Sequence, residues 1–122
     1  MTYNIIYTDE FAKRAKECIK ENKKNNKNPT LSDKLEELLD ELEKGNFVGT
    51  PIQGVGLPPG EMAFKFRIDD SDKNIGKSGG YRVVYYNVRD NEDVYLVTMY
   101  SKKKLSDIEK GKLRKMIIKQ CI

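Results

Sequence analysis

Histidine is absent from this 122-residue sequence, and cysteine occurs only twice, at Cys18 and Cys121. Structural zinc sites use clustered cysteine and histidine ligands, whereas these two cysteines are far apart and have no CxxC spacing. Serine and cysteine hydrolases would also lack their usual general base. The composition therefore disfavours zinc and triad chemistry, and we expect two reduced thiols on the apolar sides of helices.

Long hydrophobic runs are missing as well. No apolar segment approaches the roughly 20 residues needed to cross a bilayer, and acidic residues interrupt the N-terminal MTYNIIYTDE before a signal-peptide core could form. Hydrophobic residues make up 38% and charged residues 34%, which is typical of a soluble globular chain. We expect one cytoplasmic domain over residues 1–122, with no membrane contact.

Charge is distributed unevenly along the chain. Residues 1–61 carry 9 Lys and Arg against 11 Asp and Glu, whereas residues 62–122 carry 14 against 8. The positive half favours a polyanionic partner such as nucleic acid. The run ENKKNNKN at 21–28 also looks like a basic tract for RNA, although a solvated helix end is the more common role of such a run.

The N-terminal half predicts a strand followed by two helices. The β-branched and aromatic segment 3–7 is typical of a strand, and Thr8 and Asp9 are good caps for a helix that follows. Leucines at helical spacing from Leu31 to Leu42 predict a second helix, which Gly45 ends. The Gly- and Pro-rich segment 48–60 is expected to be a loop.

The C-terminal half predicts three strands and a helix. Strands are expected from Met62 to Ile68, over 81–88 and over 94–100, the last of them central and covered on both faces. The sequence SDIE at 106–109 fits a capping box that opens a last helix. The order β-α-α-β-β-β-α predicts a small α+β domain with a mainly antiparallel sheet packed on helices.

Gly76-Lys77-Ser78 resembles the end of a phosphate-binding P-loop. That motif requires another glycine five positions earlier and a helix after the loop, but here the earlier position holds Ser71 and a strand follows. ATP or GTP binding is therefore not expected. Gly79 and Gly80 fit a tight turn that leads into the strand carrying Arg82.

A metal site could be proposed at Asp69, Asp70 and Asp72, since clustered carboxylates bind Mg²⁺ or Ca²⁺. No glutamate closes a calcium loop at the required offset, so a solvated acidic loop is favoured. We predict no metal and no cofactor.

Cations and phenols recur along the three predicted strands. Lys65 and Arg67 share one face of the first of these strands. The other candidates lie along the next strand or at the strand ends: Lys77, Tyr81, Arg82, Tyr85 or Tyr86, Tyr100, Lys102, Lys103 and Lys104. Such a set can hold a phosphodiester by charge and stack bases on tyrosine. Composition alone leaves open the alternative that these cations only solvate the sheet.

RNA supplies its own nucleophile, the 2′-OH. Cleavage then needs in-line positioning, stabilisation of the phosphorane charge, and groups that accept and donate protons. A lysine surrounded by cations loses its proton more readily and can act as general base, while arginine or a second lysine stabilises the transition state. This chemistry requires no metal.

The segments FKFRI, GKSGGYRVVYY and VYLVTMYSKKKLSDIE, in this order, resemble the RelE/HigB-like toxins of bacterial type II toxin-antitoxin modules, within the RelE/ParE superfamily. The likeness runs from about Gly54 to the C-terminus. It implies a curved, mainly antiparallel sheet and metal-independent cleavage of messenger RNA on the ribosome through the 2′-OH. It also implies a cognate antitoxin that forms a hetero-oligomer with the toxin, covering its basic surface or displacing a helix.

The resemblance also implies roles for individual residues. The strand cations of the family fall on Lys65 and Arg67, its motif arginine on Arg82, and its basic residue after the last strand on Lys102. Arg82 and Arg67 are expected to bind and stabilise the scissile phosphate, Lys65 to act as base, and Lys102 to support the charge. Contact with RNA is expected from the remaining candidates: Lys77, Tyr81, Tyr85, Lys103 and Lys104.

The sequence departs from the family pattern in its proton-transfer groups. Some RelE proteins have a catalytic tyrosine early in the final helix, where this chain has Ile108, so the candidate tyrosine is Tyr100. HigB-like relatives usually have a histidine or other acid-base group near the end of the chain, and this sequence has no histidine.

Two other functions stay open at this stage. A ParE-like protein would inhibit DNA gyrase without cutting RNA, although that branch generally lacks the full basic set that includes Lys65 and Arg67. A non-toxic relative would bind only its antitoxin.

Overall fold

The computed structural model describes residues 2–25, 27, 29–69 and 80–121. Within these ranges, three helices and five strands follow one another, and a 3₁₀ turn at Arg89–Asn91 joins the last two strands. The elements are β1 (Asn4–Tyr7), α1 (Asp9–Asn25), α2 (Leu31–Glu43), β2 (Thr50–Pro51), β3 (Glu61–Ile68), β4 (Tyr81–Val88), β5 (Asp93–Ser101) and α3 (Lys110–Cys121). The α+β class is confirmed; the two-residue strand β2 lies in the segment predicted as a loop.

The five strands form one sheet in the order β1-β5-β4-β3-β2. β1 runs parallel to β5, and all the other neighbouring strands are antiparallel. β5 therefore has a partner on each side, which confirms its predicted central position. Tyr85 pairs with Leu96 and Val84 with Thr98, so Val97 is an extra residue that forms a bulge in β5.

Both faces of the sheet are covered. On one face, α1 and α2 pack against a core that includes Leu38, Leu42 and Leu96. On the other face, Leu113 and Ile117 of α3 pack against a second core. We call these the α1/α2 face and the α3 face.

The predicted start of α1 and the predicted end of α2 are confirmed. The Thr8 hydroxyl accepts the N–H of Phe11 at 3.1 Å, as an N-cap should, and donates to the carbonyl of Leu96 at 2.7 Å, which ties α1 to β5. After α2, Gly45 has φ +88° and its N–H donates to the Leu42 carbonyl at 3.0 Å. Glycine adopts this left-handed conformation without steric cost.

The predicted start of the last helix is wrong. α3 begins at Lys110, and the N–H of Leu113 donates to the Glu109 carbonyl at 2.9 Å. The segment before it is irregular because Ile108 is buried in the α3-face core and the Asp107 side chain contacts β3 and β5. These long-range contacts prevail over the local capping signal. In the part of the chain that the structure describes, no helix is both long and apolar enough to span a bilayer.

Candidate nucleic-acid interface

The register of the sheet brings four of the predicted site residues together. Arg67 pairs directly with Arg82 across β3 and β4, and Arg82 pairs with Tyr100 across β4 and β5. Residues directly opposite each other share a face of the sheet, and Tyr100 belongs to the α3-face core. Lys65, two residues before Arg67, lies on the same face. We call Lys65, Arg67, Arg82 and Tyr100 the cationic cluster.

Arg82 is the buried cation of this cluster. Only 8% of the surface of Arg82 is exposed. Its Nη1 donates a hydrogen bond to the Tyr81 carbonyl at 3.2 Å. Among the described residues, no carboxylate forms an ion pair with this guanidinium. An ion removed from water without a counter-charge is costly, by several kcal/mol. The arrangement therefore suits an incoming anion.

Arg67 is the exposed cation of the same row. Its Nε lies 2.7 Å from Oδ1 of Asp69, and about half of each side chain or more is in contact with solvent. Exposed ion pairs contribute about 0–1 kcal/mol. The ion pair with Asp69 therefore opposes the binding of a phosphate only weakly.

Asp107 joins two members of the cluster, and sequence reasoning missed it. Its Oδ1 accepts hydrogen bonds from Lys65 Nζ at 3.1 Å, from the Tyr100 hydroxyl at 3.3 Å and from the N–H of Ile108 at 2.8 Å. Partial burial raises the pKa of the Asp107 carboxyl, but Lys65, the Ile108 N–H and Tyr100 together outweigh burial and lower this pKa below its usual value. Asp107 is therefore ionised at neutral pH. The sequence feature that could have identified Asp107 is its position as an acidic residue directly after the lysine-rich segment KKKLS.

Tyr100 keeps its proton at neutral pH. Burial raises the pKa of its hydroxyl to about 12, the Asp107 charge and hydrogen bond add to the shift, and the Arg82 charge opposes it. The hydroxyl can donate a hydrogen bond but is a poor proton acceptor. Lys65 donates to Asp107, so the geometry fits a charged lysine that stabilises phosphate better than it fits the neutral base expected from the sequence.

The lysines that follow β5 diverge. Lys102 returns to its own segment, with its ammonium donating to the Ser106 carbonyl and its backbone N–H donating to the Gly80 carbonyl. Lys103 is exposed. Lys104 forms an ion pair with Glu21 on α1 at 2.9 Å, which directs it away from the cationic cluster.

The predicted contact of Tyr81 and Tyr85 with RNA does not fit their positions. Both lie in the α1/α2-face core, with 2% and 0% of their surface exposed. The Tyr85 ring stacks on Phe64 with centroids 5.1 Å apart, and its hydroxyl donates to the Val48 carbonyl. Neither ring is available to stack on a base.

Lys77, which is predicted to contact RNA, lies outside the described residues together with Ser78 and Gly79. Gly80 is described and has φ +94°, which fits the tight turn predicted before β4.

A cleft with both polar and apolar lining extends the cationic cluster toward β2. It has a volume of about 280 Å³ and is lined by Thr50, Gln53, Lys65, Asp107 and Lys110, among others. Within the described ranges, no three His, Cys, Asp or Glu side chains are grouped to hold a metal ion, and Asp70 and Asp72 fall outside those ranges.

Comparison with known proteins supports the fold. No family model matches the sequence. The structure is similar to a solved structure of a doubly substituted mutant of the Escherichia coli toxin RelE in the free state, with a TM-score of 0.58, 15% sequence identity and 100% coverage of both chains. The likeness at this identity shows that the two proteins share a fold.

Proposed function

We propose that this protein is the toxin of a type II toxin-antitoxin module and a ribosome-dependent messenger RNA endonuclease that works without metal. The main support is Arg82, a nearly buried guanidinium with no carboxylate partner among the described residues, placed between Arg67 and Tyr100 in one row of the sheet. The shared fold with RelE and the sequence resemblance point to the same activity.

The reaction we propose is a transesterification. The 2′-hydroxyl gives its proton to solvent water and its oxygen attacks the adjacent phosphorus, the bond from phosphorus to the 5′-oxygen breaks, and the leaving oxygen takes up a proton from solvent. The products are a 2′,3′-cyclic phosphate and a 5′-hydroxyl end, and no water is consumed. Arg82 and Arg67 bind the non-bridging oxygens, where negative charge grows in the transition state, and Lys65 adds a third positive charge.

Asp107 positions two groups in this scheme. It holds the Lys65 ammonium and the Tyr100 hydroxyl on one carboxylate oxygen, so both donors point at the same small region. Tyr100 is protonated at neutral pH, and its single O–H turns from Asp107 to the phosphate or to the leaving oxygen when RNA binds. The Lys65 ammonium has three donors and can contact Asp107 and the phosphate together, so its position needs no reorganisation during the reaction.

The test is controlled expression in bacteria of the wild type and two matched variants. Arg82→Met removes the buried guanidinium, and Arg89→Met makes the same change in the exposed turn that follows the other end of the strand. Wild type and Arg89→Met should arrest growth and protein synthesis, and Arg82→Met should not. A wild-type protein that is harmless at good soluble yield would contradict the proposal.

Mapping of RNA ends after induction distinguishes the proposal from the gyrase and binding-only alternatives. We expect new 5′-hydroxyl ends, phased with codons, in translated messages and not in untranslated ones. Growth arrest with intact messages and trapped gyrase on DNA would instead identify a ParE-like inhibitor.

The proposed protein partner is a cognate antitoxin. An antitoxin that covers the cationic cluster must place acidic groups near Arg67 and Lys65. Co-expression of the adjacent open reading frame should restore growth and yield a stable hetero-oligomer on size-exclusion chromatography. Both partners are expected in the cytoplasm, where translation occurs.

A further inference from the structure

We infer that a second surface, on α1 and behind the sheet from the cationic cluster, binds the phosphate backbone of folded RNA. The surface consists of six exposed lysines on α1 and the residues just after it, which we call the lysine stripe. Its members are Lys13, Lys16, Lys20, Lys23, Lys24 and Lys27. The stripe uses none of the residues proposed for cleavage, so the inference goes beyond the proposed function.

The spacing of the lysines places them on one side of the helix. Successive members are mostly three or four residues apart, which brings them into a row along a helix surface. The opposite side of α1 holds Phe11, Ala15 and Cys18, which are buried against the sheet. The row therefore points straight away from the protein, and from Lys13 to Lys24 it spans about 16 Å at 1.5 Å per residue.

The acidic residues of α1 form no ion pair with the lysine stripe among the described residues. Arg14 pairs with Glu10 at 2.9 Å and with Glu17 at 3.1 Å, and Lys104 pairs with Glu21 at 2.9 Å. Glu10, Glu17 and Glu21 lie along a neighbouring side of the helix, whereas the fourth acid of α1, Asp9, lies one turn before Lys13 on the side of the stripe. Among the described residues, no carboxylate forms an ion pair with any lysine of the stripe.

Helix stability does not account for the stripe. Like charges three or four residues apart destabilise a helix by about 0.2–0.5 kcal/mol per pair. Lys23 and Lys24 lie in the last turn, where the helix dipole favours cations. Lys13, Lys16 and Lys20 are too far from that end to benefit. A row of repelling charges that forms no ion pair with the acids of its helix, among the described residues, is better explained by an anionic partner.

The surroundings of the stripe favour a phosphate backbone over a membrane or a protein. An amphipathic helix that enters a membrane needs a free apolar side, and that side of α1 is already packed on the sheet. Protein interfaces are usually anchored by exposed aromatic or large apolar residues; none of the described residues between Lys13 and Lys24 is an exposed large hydrophobic. Lysines act as point charges that suit phosphates in any orientation.

The experiment measures binding of a 2′-O-methyl RNA hairpin, which forms a duplex but lacks the 2′-OH that cleavage requires. The test variant replaces Lys13, Lys16, Lys20 and Lys27 with glutamine, which has a similar helix propensity. The matched control makes the same change at four exposed lysines elsewhere and so has the same net charge. The control positions are Lys34, Lys44, Lys115 and Lys119.

In the stripe variant, we expect fluorescence anisotropy to show a dissociation constant about tenfold higher or more at 0.1 M salt. The magnitude of the slope of log K against log salt should decrease by about 3 to 4, which is close to 0.9 for each lysine removed. In the control variant, the slope should change by less than about a quarter of that amount. Circular dichroism should show the same helix content in all three proteins, as the glutamine propensity requires.

Several outcomes would overturn the inference. Equal losses in both variants would show that only net charge matters, and unchanged binding by the stripe variant would show that the lysines do not contact RNA. Stripe-dependent binding to anionic phospholipid vesicles that exceeds hairpin binding would assign the surface to membranes instead. Because the hairpin lacks the nucleophile, its binding is measured without cleavage, and the mapping of RNA ends tests the proposed nuclease separately, so failure of this inference is distinguishable from failure of the nuclease.

Discussion

Replacement of Arg82 by methionine should abolish toxin activity without destabilising the protein. The substitution removes the hydrogen bond to the Tyr81 carbonyl, and hydrogen bonds to charged groups contribute about 1.5–3 kcal/mol. It also removes the desolvation cost of a guanidinium on a residue that is 8% exposed, which is several kcal/mol. Methionine retains most of the apolar stem. We expect the free energy of unfolding to stay constant or rise by up to about 2 kcal/mol.

Urea denaturation at neutral pH, monitored by circular dichroism, measures this change in the free energy of unfolding. In a domain of this size, 1 kcal/mol corresponds to a shift in Tm of roughly 3–5 °C. Added inorganic phosphate should stabilise the wild type more than Arg82→Met, because an anion that binds only the folded state raises its stability. Destabilisation of Arg82→Met by more than about 2 kcal/mol would refute the reasoning, since it would show that the arginine has a structural partner.

Three further predictions concern Asp107, Glu92 and Cys18. Asp107→Asn should lower the free energy of unfolding by under about 1 kcal/mol at pH 7, because the ion pair with Lys65 is exposed. Since folding lowers the pKa of Asp107, the difference in urea stability between wild type and variant should vanish as the pH falls through the pKa of the folded state. A difference that stays constant with pH would contradict the ion pair. Glu92 has φ +56°, so Glu92→Asn should raise the unfolding free energy by about 0.5–1 kcal/mol, and a loss of stability would mean that the turn depends on the glutamate. Burial raises the pKa of Cys18 to about 11, so the contribution of the neutral thiol to stability should be complete below about pH 9 and decline toward pH 11. Between these pH values, the urea midpoint should decrease less in Cys18→Ala than in the wild type. Equal decreases would argue against the raised pKa.

Much of the sheet could be predicted because its strands have distinct chemical patterns. β4 has the predicted bounds, Tyr81–Val88, and β5 extends the predicted 94–100 by one residue at each end. The alternation in β3 correctly separated Phe64, which faces α1 and α2, from Ala63, which faces α3. In each case a long apolar or alternating run left few competing structures.

The features that sequence reasoning missed depend on contacts between distant residues. β2 is only two residues long and contains Pro51, so it has no strand pattern of its own and exists because it pairs with Phe64 and Lys65. β4 is covered on both faces, so alternation could not tell that Tyr81 and Tyr85 are core residues while Arg82 faces the cluster. Asp107 fitted a local capping box, and only the fold shows that Lys65 and Tyr100 compete for it.

Net charge gave an incomplete account of where anions can bind. Residues 1–61 carry more acid than base, which alone would assign nucleic-acid contacts only to the C-terminal half. Spacing changes that conclusion, because three of the four acids of α1, Glu10, Glu17 and Glu21, lie on one side of the helix, where they pair with Arg14 and Lys104, and the lysine stripe, with Asp9 at its start, lies on another. A potential at a surface depends on the charges that face it within a Debye length, about 8 Å at physiological salt. The helical period, and not the sum of charges, therefore determines that this half of the chain presents a positive surface.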